Sequence, residues 1–332
     1  VSEQLISIVR RFAGRKVVVL GDAIADKFVY GSISRVSREA PVFILRHEQT
    51  ETVPGGAANC AMNLAALGAK VSLVAVVGDD DVGAALRRKL VAAGINTDGV
   101  LVSNRIKTTT KERILAGQTH STKQQVIRID YEDAPLSDEI LRSSLSTKLR
   151  EQLNQADAAV ISDYNYGVVD ENTIGTVRNW VHSTSLPAVI DSRFRLSDFK
   201  GFTAATPNED EVEHLIGQQI DKTEQLEKVA LDLKEKLGLQ ALLITRGSLG
   251  MLLIQEGRLL HIPAVGADQP VDVTGAGDTV IATFALALSC EASFEDAARL
   301  ANYAGGLVVM KRGTASVSAE ELAHSIRSDQ NE

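Results

Sequence analysis

Five apolar runs without polar alternation constrain this chain more than any other feature. They are Lys16-Val17-Val18-Val19-Leu20-Gly21-Asp22, Val71-Ser72-Leu73-Val74-Ala75-Val76-Val77-Gly78, Ala158-Ala159-Val160-Ile161-Ser162-Asp163, Ala188-Val189-Ile190-Asp191 and Ala241-Leu242-Leu243-Ile244-Thr245. A strand with one wetted face alternates apolar and polar residues, whereas a strand that is apolar throughout has both faces covered. Helices are expected between the strands, as at 59–67 before Gly68 and 82–93 before Gly94. The pattern predicts an α/β fold, a mostly parallel sheet with helices on both faces. Ligands of such sheets bind beyond the strand C-termini. Asp22, Asp163, Asp191, Thr245 and Gly247 fall at that rim.

Two stretches, 27–49 and 107–130, interrupt the rhythm. Runs such as Lys27-Phe28-Val29-Tyr30 and Gln125-Val126-Ile127-Arg128-Ile129-Asp130 alternate, which predicts half-exposed antiparallel strands outside the main sheet. Both are inserted between core units, so they are expected to form one small β lid that excludes water from the strand ends. The alternative is that they extend the edge of the main sheet. Exposed strand edges pair with other chains, so a homodimer joined lid to lid is expected. The whole of 1–332 reads as one domain, with a frayed tail at 328–332.

The 332 residues are 44% hydrophobic and 23% charged, enough to bury a full-sized core. A net charge of −8 argues against nucleic acid or an anionic membrane as partner. Cys60 and Cys290 alone make neither a disulfide framework nor a CxxC metal site, which suits a reducing compartment. No apolar run reaches membrane-spanning length and the first residues lack a secretory pattern, so a cytoplasmic location is expected.

The chemistry is concentrated in Val271-Asp272-Val273-Thr274-Gly275-Ala276-Gly277-Asp278-Thr279. A turn of Gly275, Ala276 and Gly277 has almost no side chains, so its amides can converge on an anion. The apolar run from Thr279 to Leu288 reads as a helix whose positive end adds to that site. Asp278 then stands beside the anion as a base for a hydroxyl nucleophile. An anion cradle with an adjacent base is what phosphoryl transfer to an alcohol requires. The same residues would also serve as a plain strand-to-helix connection with Asp278 as its cap.

Other constellations carry the same double reading. Pro54-Gly55-Gly56-Ala57-Ala58-Asn59 allows a polyol to approach two glycines, with Asn59 as donor and acceptor, or is a helix entry. Asp22 and Asp26 suit sugar hydroxyls. In Thr206-Pro207-Asn208-Glu209-Asp210-Glu211, Asn208 and Glu211 share a helix face and could orient water around Mg2+, or simply cap the helix. Thr245 and Gly247 suit a phosphate or ribose with Arg246 supplying charge, or form a hairpin turn before Met251. The small-residue segment 301–313 reads as a helix against which adenine, or merely another helix, would lie. Carbonyls near Lys311 and Gly313, with Asp272, are candidates for a monovalent cation such as K+. There is no G-x-x-x-x-G-K-[ST], no G-x-G-x-x-G after the first strand, no H-x-x-x-H and no G-x-S-x-G.

Taken in chain order, Gly21-Asp22, Gly55-Gly56-Ala57-Ala58-Asn59, Thr206-Pro207-Asn208-Glu209-x-Glu211, Thr245-Arg246-Gly247 and Asp272-x-Thr274-Gly275-Ala276-Gly277-Asp278 resemble the ribokinase (PfkB) family of sugar kinases over almost the whole chain. The resemblance implies a three-layer αβα domain with a β lid and ATP-dependent phosphorylation of a sugar or sugar-like alcohol. It implies Asp278 as base, an anion hole of Gly275, Ala276 and Gly277, and Asn208 and Glu211 assisting Mg2+. Thr245, Arg246 and Gly247 fall in its nucleotide region.

Within the family, the segments Gly21 to Lys27, Tyr30 to Val42, Gln124 to Asp130 and Ser162-Asp163-Tyr164 resemble the subgroup acting on O1 of D-glycero-β-D-manno-heptose 7-phosphate, toward ADP-heptose for lipopolysaccharide. That resemblance adds Asp163 to the sugar end. An acceptor that already carries phosphate needs cations, and Arg35, Arg113, Arg128 and Arg193 are the candidates. The chain departs from the subgroup at Asp191-Ser192-Arg193-Phe194-Arg195, where the pattern is Asp-Pro-Lys, and at 117–123, which adds residues. Many relatives also carry an adenylyltransferase domain, but no H-x-G-H motif occurs here, so only the kinase step is expected. The rival expectations are a kinase of fructose, ribose or a keto-deoxy acid, a non-catalytic sugar- or nucleotide-binding protein, and a dinucleotide oxidoreductase.

Overall fold

The computed structural model describes residues 2–118, 123–266 and 270–329. In chain order the strands are β1 (Lys16–Gly21), β2 (Ala23–Val36), β3 (Phe43–Gly56), β4 (Lys70–Gly78), β5 (Asn96–Ser103), β6 (Thr110–Gly117) and β7 (Gln124–Tyr131). They continue with β8 (Ala158–Asp163), β9 (Ala188–Ser192), β10 (Ala204–Ala205), β11 (Ala241–Thr245), β12 (Met251–Gln255) and β13 (Arg258–Ile262). A nine-stranded sheet has the order β13-β12-β11-β10-β9-β8-β1-β4-β5. Every pairing from β11 to β5 is parallel, while β12 and β13 turn back antiparallel at one edge.

Alternate residues of the buried strands feed two separate cores. Val17, Val19, Leu73, Ala75, Val160 and Leu243 pack with helices Ser2–Arg10, Ala57–Ala66, Ala276–Ser289 and Phe294–Val308. Val18, Leu20, Val74, Ile161, Ile190 and Leu242 pack with helices Glu139–Leu153, Glu171–Thr184 and Thr223–Leu237. Successive side chains point to opposite faces. The runs lack alternation because both faces are dry. The result is the expected three-layer α/β architecture.

The second sheet has the order β3-β2-β6-β7 and is separate from the first, so it does not extend the main edge. Its β2–β3 and β6–β7 pairs are antiparallel, but β2 and β6 run parallel, which corrects the all-antiparallel expectation. Alternation reports which faces are covered, not strand direction. The strands also reach past the expected bounds, to Ala23, Gly56 and Tyr131. Only Asp22 separates β1 from β2, and helix Ala57–Ala66 starts where β3 ends, so this sheet springs from the rim. Cross-strand register sets Asp26, Lys111 and Asp130 in one row and Phe28, Arg113 and Arg128 in the next. Two residues apart, the rows share one face.

Other boundaries move. The helix expected from Thr279 begins at Ala276, and the helix expected over 301–313 runs from Phe294 to Val308. A Cβ on Gly306 would lie 2.0 Å from the Val265 carbonyl oxygen, so close packing accounts for that small residue. Ser328, where a frayed tail is expected to begin, is instead the last residue of helix Ala319–Ser328. Part of the 117–123 addition and residues 330–332 lie outside the described residues. Among those described, no helix is long and apolar enough to cross a membrane.

Candidate active site

The glycine turn is fixed by one close contact. Gly275 has φ 78°, and a Cβ there would fall 2.5 Å from Asn59 Nδ2, so both conformation and space demand glycine. Helix Ala276–Ser289 starts at once. The Ala276 amide donates to Val273 O (3.2 Å) and the Thr279 amide to Gly275 O (3.2 Å). The amides of Gly275, Gly277 and Asp278 donate to no described acceptor. The open cradle is therefore Gly275, Gly277 and Asp278, and the share expected of the Ala276 amide is corrected. A Cβ on Gly277 would meet nothing within 4 Å.

Asp278 is not the helix cap, since Gly275 holds that position. Its carboxylate, 4% exposed, accepts hydrogen bonds from Asn59 Nδ2 (2.8 Å) and the Tyr164 hydroxyl (3.2 Å). Behind it Thr279 Oγ1 donates to Asn63 Oδ1 (3.0 Å), and Asn63 Nδ2 donates to Asn59 Oδ1 (3.2 Å). This relay orients the Asn59 amide. Burial pushes the Asp278 carboxyl up to about 7, against the hydrogen bonds of Asn59 and Tyr164, with the charge of Asp26 adding to the rise. Such a group is poised to exchange a proton near neutral pH. Burial, then the Asp278 charge, keeps the Tyr164 phenol protonated as a donor.

A cavity of about 650 Å3 opens between the turn, the rim and the charged face of the second sheet. Asp278, Gly275, Ala276, Gly277, Asn208, Glu211, Thr245 and Gly56 line it, together with Asp26, Arg128, Asp163 and Arg193. Residues from the first third, the middle and the end of the chain thus meet in one place. Several of them are already engaged. Arg128 holds Asp130 through Nε and Nη2, both at 2.8 Å. Arg113 is paired with Asp26. Asp163 accepts from Ser192 Oγ (2.7 Å), Arg195 Nη2 (2.7 Å) and the Asn165 amide (3.1 Å).

Other expected site residues lie off the cavity. Asp22 sits beneath it and accepts from the amides of Tyr164 (2.8 Å), Tyr166 (3.2 Å) and Val168 (3.3 Å). Burial and the Asp163 charge raise its carboxyl to about 6 despite those amides. Gly55 admits the Asp26 carboxylate, 2.4 Å from where its Cβ would stand, rather than a ligand. Asn59 reaches the site only through Asp278. Arg246 turns away to Glu209 (2.6 Å) and Thr223 (3.2 Å), so it supplies no charge to the cavity. Gly247 opens the single-turn helix that leads into β12, where the hairpin reading holds. Asp272 accepts from the amides of Thr274 and Gly313, both at 2.9 Å, and fastens the two loops together. Arg35 is exposed at the far end of β2.

Asn208 and Glu211 form a reciprocal capping box at helix Glu209–Ile216, with bonds of 2.8 and 2.9 Å. Capping does not remove them from the cavity, because one Glu211 oxygen stays outside the box. Burial and the Glu211 charge push the Asp191 carboxyl well up, and burial raises Glu211. Two such carboxyls beside an amide are hard oxygen donors that ask for a cation. Buried hydroxyls of Thr206 and Thr314 line the same cavity without a partner. A phosphate chain with its magnesium fits these donors. Among the described residues no cluster holds a metal by protein ligands alone.

Sequence reading missed Tyr164, Lys111, Asn63, Thr206 and Thr314 as site residues. Lys111 was detectable, standing two residues before Arg113 on one strand face. Thr206 opens the Thr206-Pro207-Asn208 motif, whereas Thr314 carries no local signal.

The description "pfkB family carbohydrate kinase" matches residues 15–321. The bifunctional protein HldE of Hahella chejuensis is 40% identical over 323 residues, 96% of this chain and 65% of the relative. HldE of Caulobacter vibrioides is 40% identical over 335 residues, 99% of this chain and 67% of the relative. The chain thus spans about two thirds of the length of the curated relatives it matches. Among solved structures, Arabidopsis thaliana ribokinase complexed with ribose and ATP superposes with a TM-score of 0.72 at 23% identity, over 95% of this chain and 99% of that one. Escherichia coli phosphofructokinase-2 in complex with substrates and products gives 0.75 at 18%, over 95% and 99%. At those identities the likeness carries the fold alone.

Proposed function

The chain belongs to the pfkB family of carbohydrate kinases, and from that premise we propose that it phosphorylates O1 of D-glycero-β-D-manno-heptose 7-phosphate. The product is the 1,7-bisphosphate, on the route to ADP-heptose for lipopolysaccharide, with MgATP as phosphoryl donor. The observation that carries the reading is Asp278, a buried carboxylate with a near-neutral pKa beside three open amides. The 40% identity to HldE proteins supports the choice of sugar.

In this mechanism Asp278 accepts the proton of the anomeric hydroxyl while its oxygen bonds to the γ-phosphorus. The bond between that phosphorus and the β,γ-bridging oxygen breaks, and ADP leaves. The amides of Gly275, Gly277 and Asp278 take up charge on the transferring group. Asn59 and Tyr164 hold the carboxylate in line. Asn208, Glu211 and Asp191 line the cavity where they would hold the magnesium that comes with the nucleotide, which would supply neutralisation of phosphate charge. Thr245 borders the nucleotide. The second sheet acts as a lid that keeps water from competing as acceptor.

The reading includes K+ held by main-chain carbonyls of the loop that Asp272 fastens, which is checked by replacing K+ with Na+. It also includes a homodimer formed lid to lid, where Val36, Val42 and Phe43 are 55%, 55% and 61% exposed. An acceptor screen with ADP detection tests the whole. Turnover with heptose 7-phosphate is expected, and turnover on unphosphorylated sugars alone would end the heptose assignment.

A further inference from the structure

The acceptor end of the cavity continues into a second hollow of about 370 Å3. Lys111, Arg128, Tyr164, Arg193 and Phe194 border both spaces. The three cations there are not equivalent. Arg128 is committed to Asp130, and Arg113 beyond it to Asp26. Among the described residues Lys111 and Arg193 form no ion pair, although the charge of Lys111 is felt by Asp278 and that of Arg193 by Asp191 and Glu211; both make ring contacts. The Lys111 ammonium lies 5.3 Å from the Tyr164 ring centre and the Arg193 guanidinium 5.6 Å from that of Phe194.

Lys111 is only 8% exposed. An ammonium withdrawn from water without a counter-ion is costly. Its pKa is lowered by burial first and by the charge of Arg193 second, and both cations line the same two hollows. Asp26 and Asp130 share the row of Lys111 and oppose that shift, but each already holds its own arginine. Neighbouring residues fix where Arg193 emerges. Ser192 and Arg195 clasp the two oxygens of the Asp163 carboxylate, and the Arg193 amide donates to the Asp163 carbonyl (3.1 Å). This clasp is built from the residues in which the chain departs from its subgroup.

We propose that Lys111 and Arg193 form the docking point for a phosphate carried by the acceptor at the end away from its reacting hydroxyl. The proposal rests on the sugar-phosphate kinase reading and says which residues select for the second phosphate. Arg113 and Arg128 hold carboxylates instead, and Arg35 is remote.

The test compares heptose 7-phosphate with the same heptose lacking phosphate. In Lys111→Met and in Arg193→Ala, the ratio of kcat/KM for the two sugars is expected to fall about 100-fold. Arg193→Lys, which keeps the charge but not the fork, recovers part of the ratio. A ratio within about twofold of wild type in both variants overturns the proposal. Should the wild type phosphorylate neither sugar, the substrate reading fails separately. Binding of inorganic phosphate, with a non-hydrolysable ATP analogue saturating the cradle, then decides the site. Phosphate affinity at least about tenfold weaker in both variants upholds it, and equal affinity overturns it.

Discussion

The rim of the parallel sheet and the inner face of the four-stranded sheet border one cavity but are built on opposite terms. At the rim the main chain supplies the polar groups that ring the site. Three amides of the glycine turn stay open, and three amides after β8 close on Asp22. On the second sheet the charges belong to side chains and are mostly cancelled in pairs, Arg113 with Asp26 and Arg128 with Asp130. Buried aspartates at the rim sharpen the contrast. Asp22 and Asp278 are both raised by burial, yet Asp22 is saturated by backbone donors while Asp278 faces open space. In the proposed mechanism one carboxylate is scaffold and the other is the base. Burial alone does not separate them. The hydrogen-bond partners do.

The contrast breaks most readily at Asp278. Asp278→Asn is expected to lower kcat by about two to four decades with little change in nucleotide binding, checked by steady-state kinetics and titration calorimetry. Its stability should move the other way. A carboxyl raised to about 7 from 3.8 keeps its proton in the folded state through that window, so wild-type stability declines as pH rises across it. Asp278→Asn escapes the decline and should melt higher than wild type above pH 7 by scanning calorimetry. Asp22→Ala inverts the pattern. Three amides lose their acceptor, so a loss of about 1–3 kcal/mol in stability is expected from denaturant unfolding. Asn59→Ala frees the Asp278 carboxylate from one donor and should lower kcat about tenfold. A smaller effect is expected on the outer side of the second sheet. Phe43→Asp is expected to shift the proposed lid-to-lid dimer toward monomer by light scattering, and an unchanged mass would overturn that pairing.

The rim was legible in the sequence because its signals are local. Unbroken apolar runs gave β1, β4, β8, β9 and β11, and glycines marked the turn at 275–277. Weak or short strands were not. Asn96-Thr97-Asp98 disguises the start of β5, and β10 has two residues. The parallel β2–β6 pairing joins segments more than seventy residues apart and leaves no trace in either. Site chemistry on the second sheet was hidden for the same reason. Four arginines look alike in sequence, and only the folded arrangement shows that Arg113 and Arg128 are ion-paired while Lys111 is not. The reciprocal bonds of Asn208 and Glu211 show the converse, since capping and cavity lining, read as alternatives, coexist.

The most direct test is the pH dependence of kcat/KM for the sugar phosphate. A buried carboxylate acting as base predicts a tenfold loss per pH unit below about 7 and no such limb in the residual activity of Asp278→Asn. A wild-type profile that stays level down to pH 5 would contradict the account, because a protonated Asp278 could not then be taking the proton.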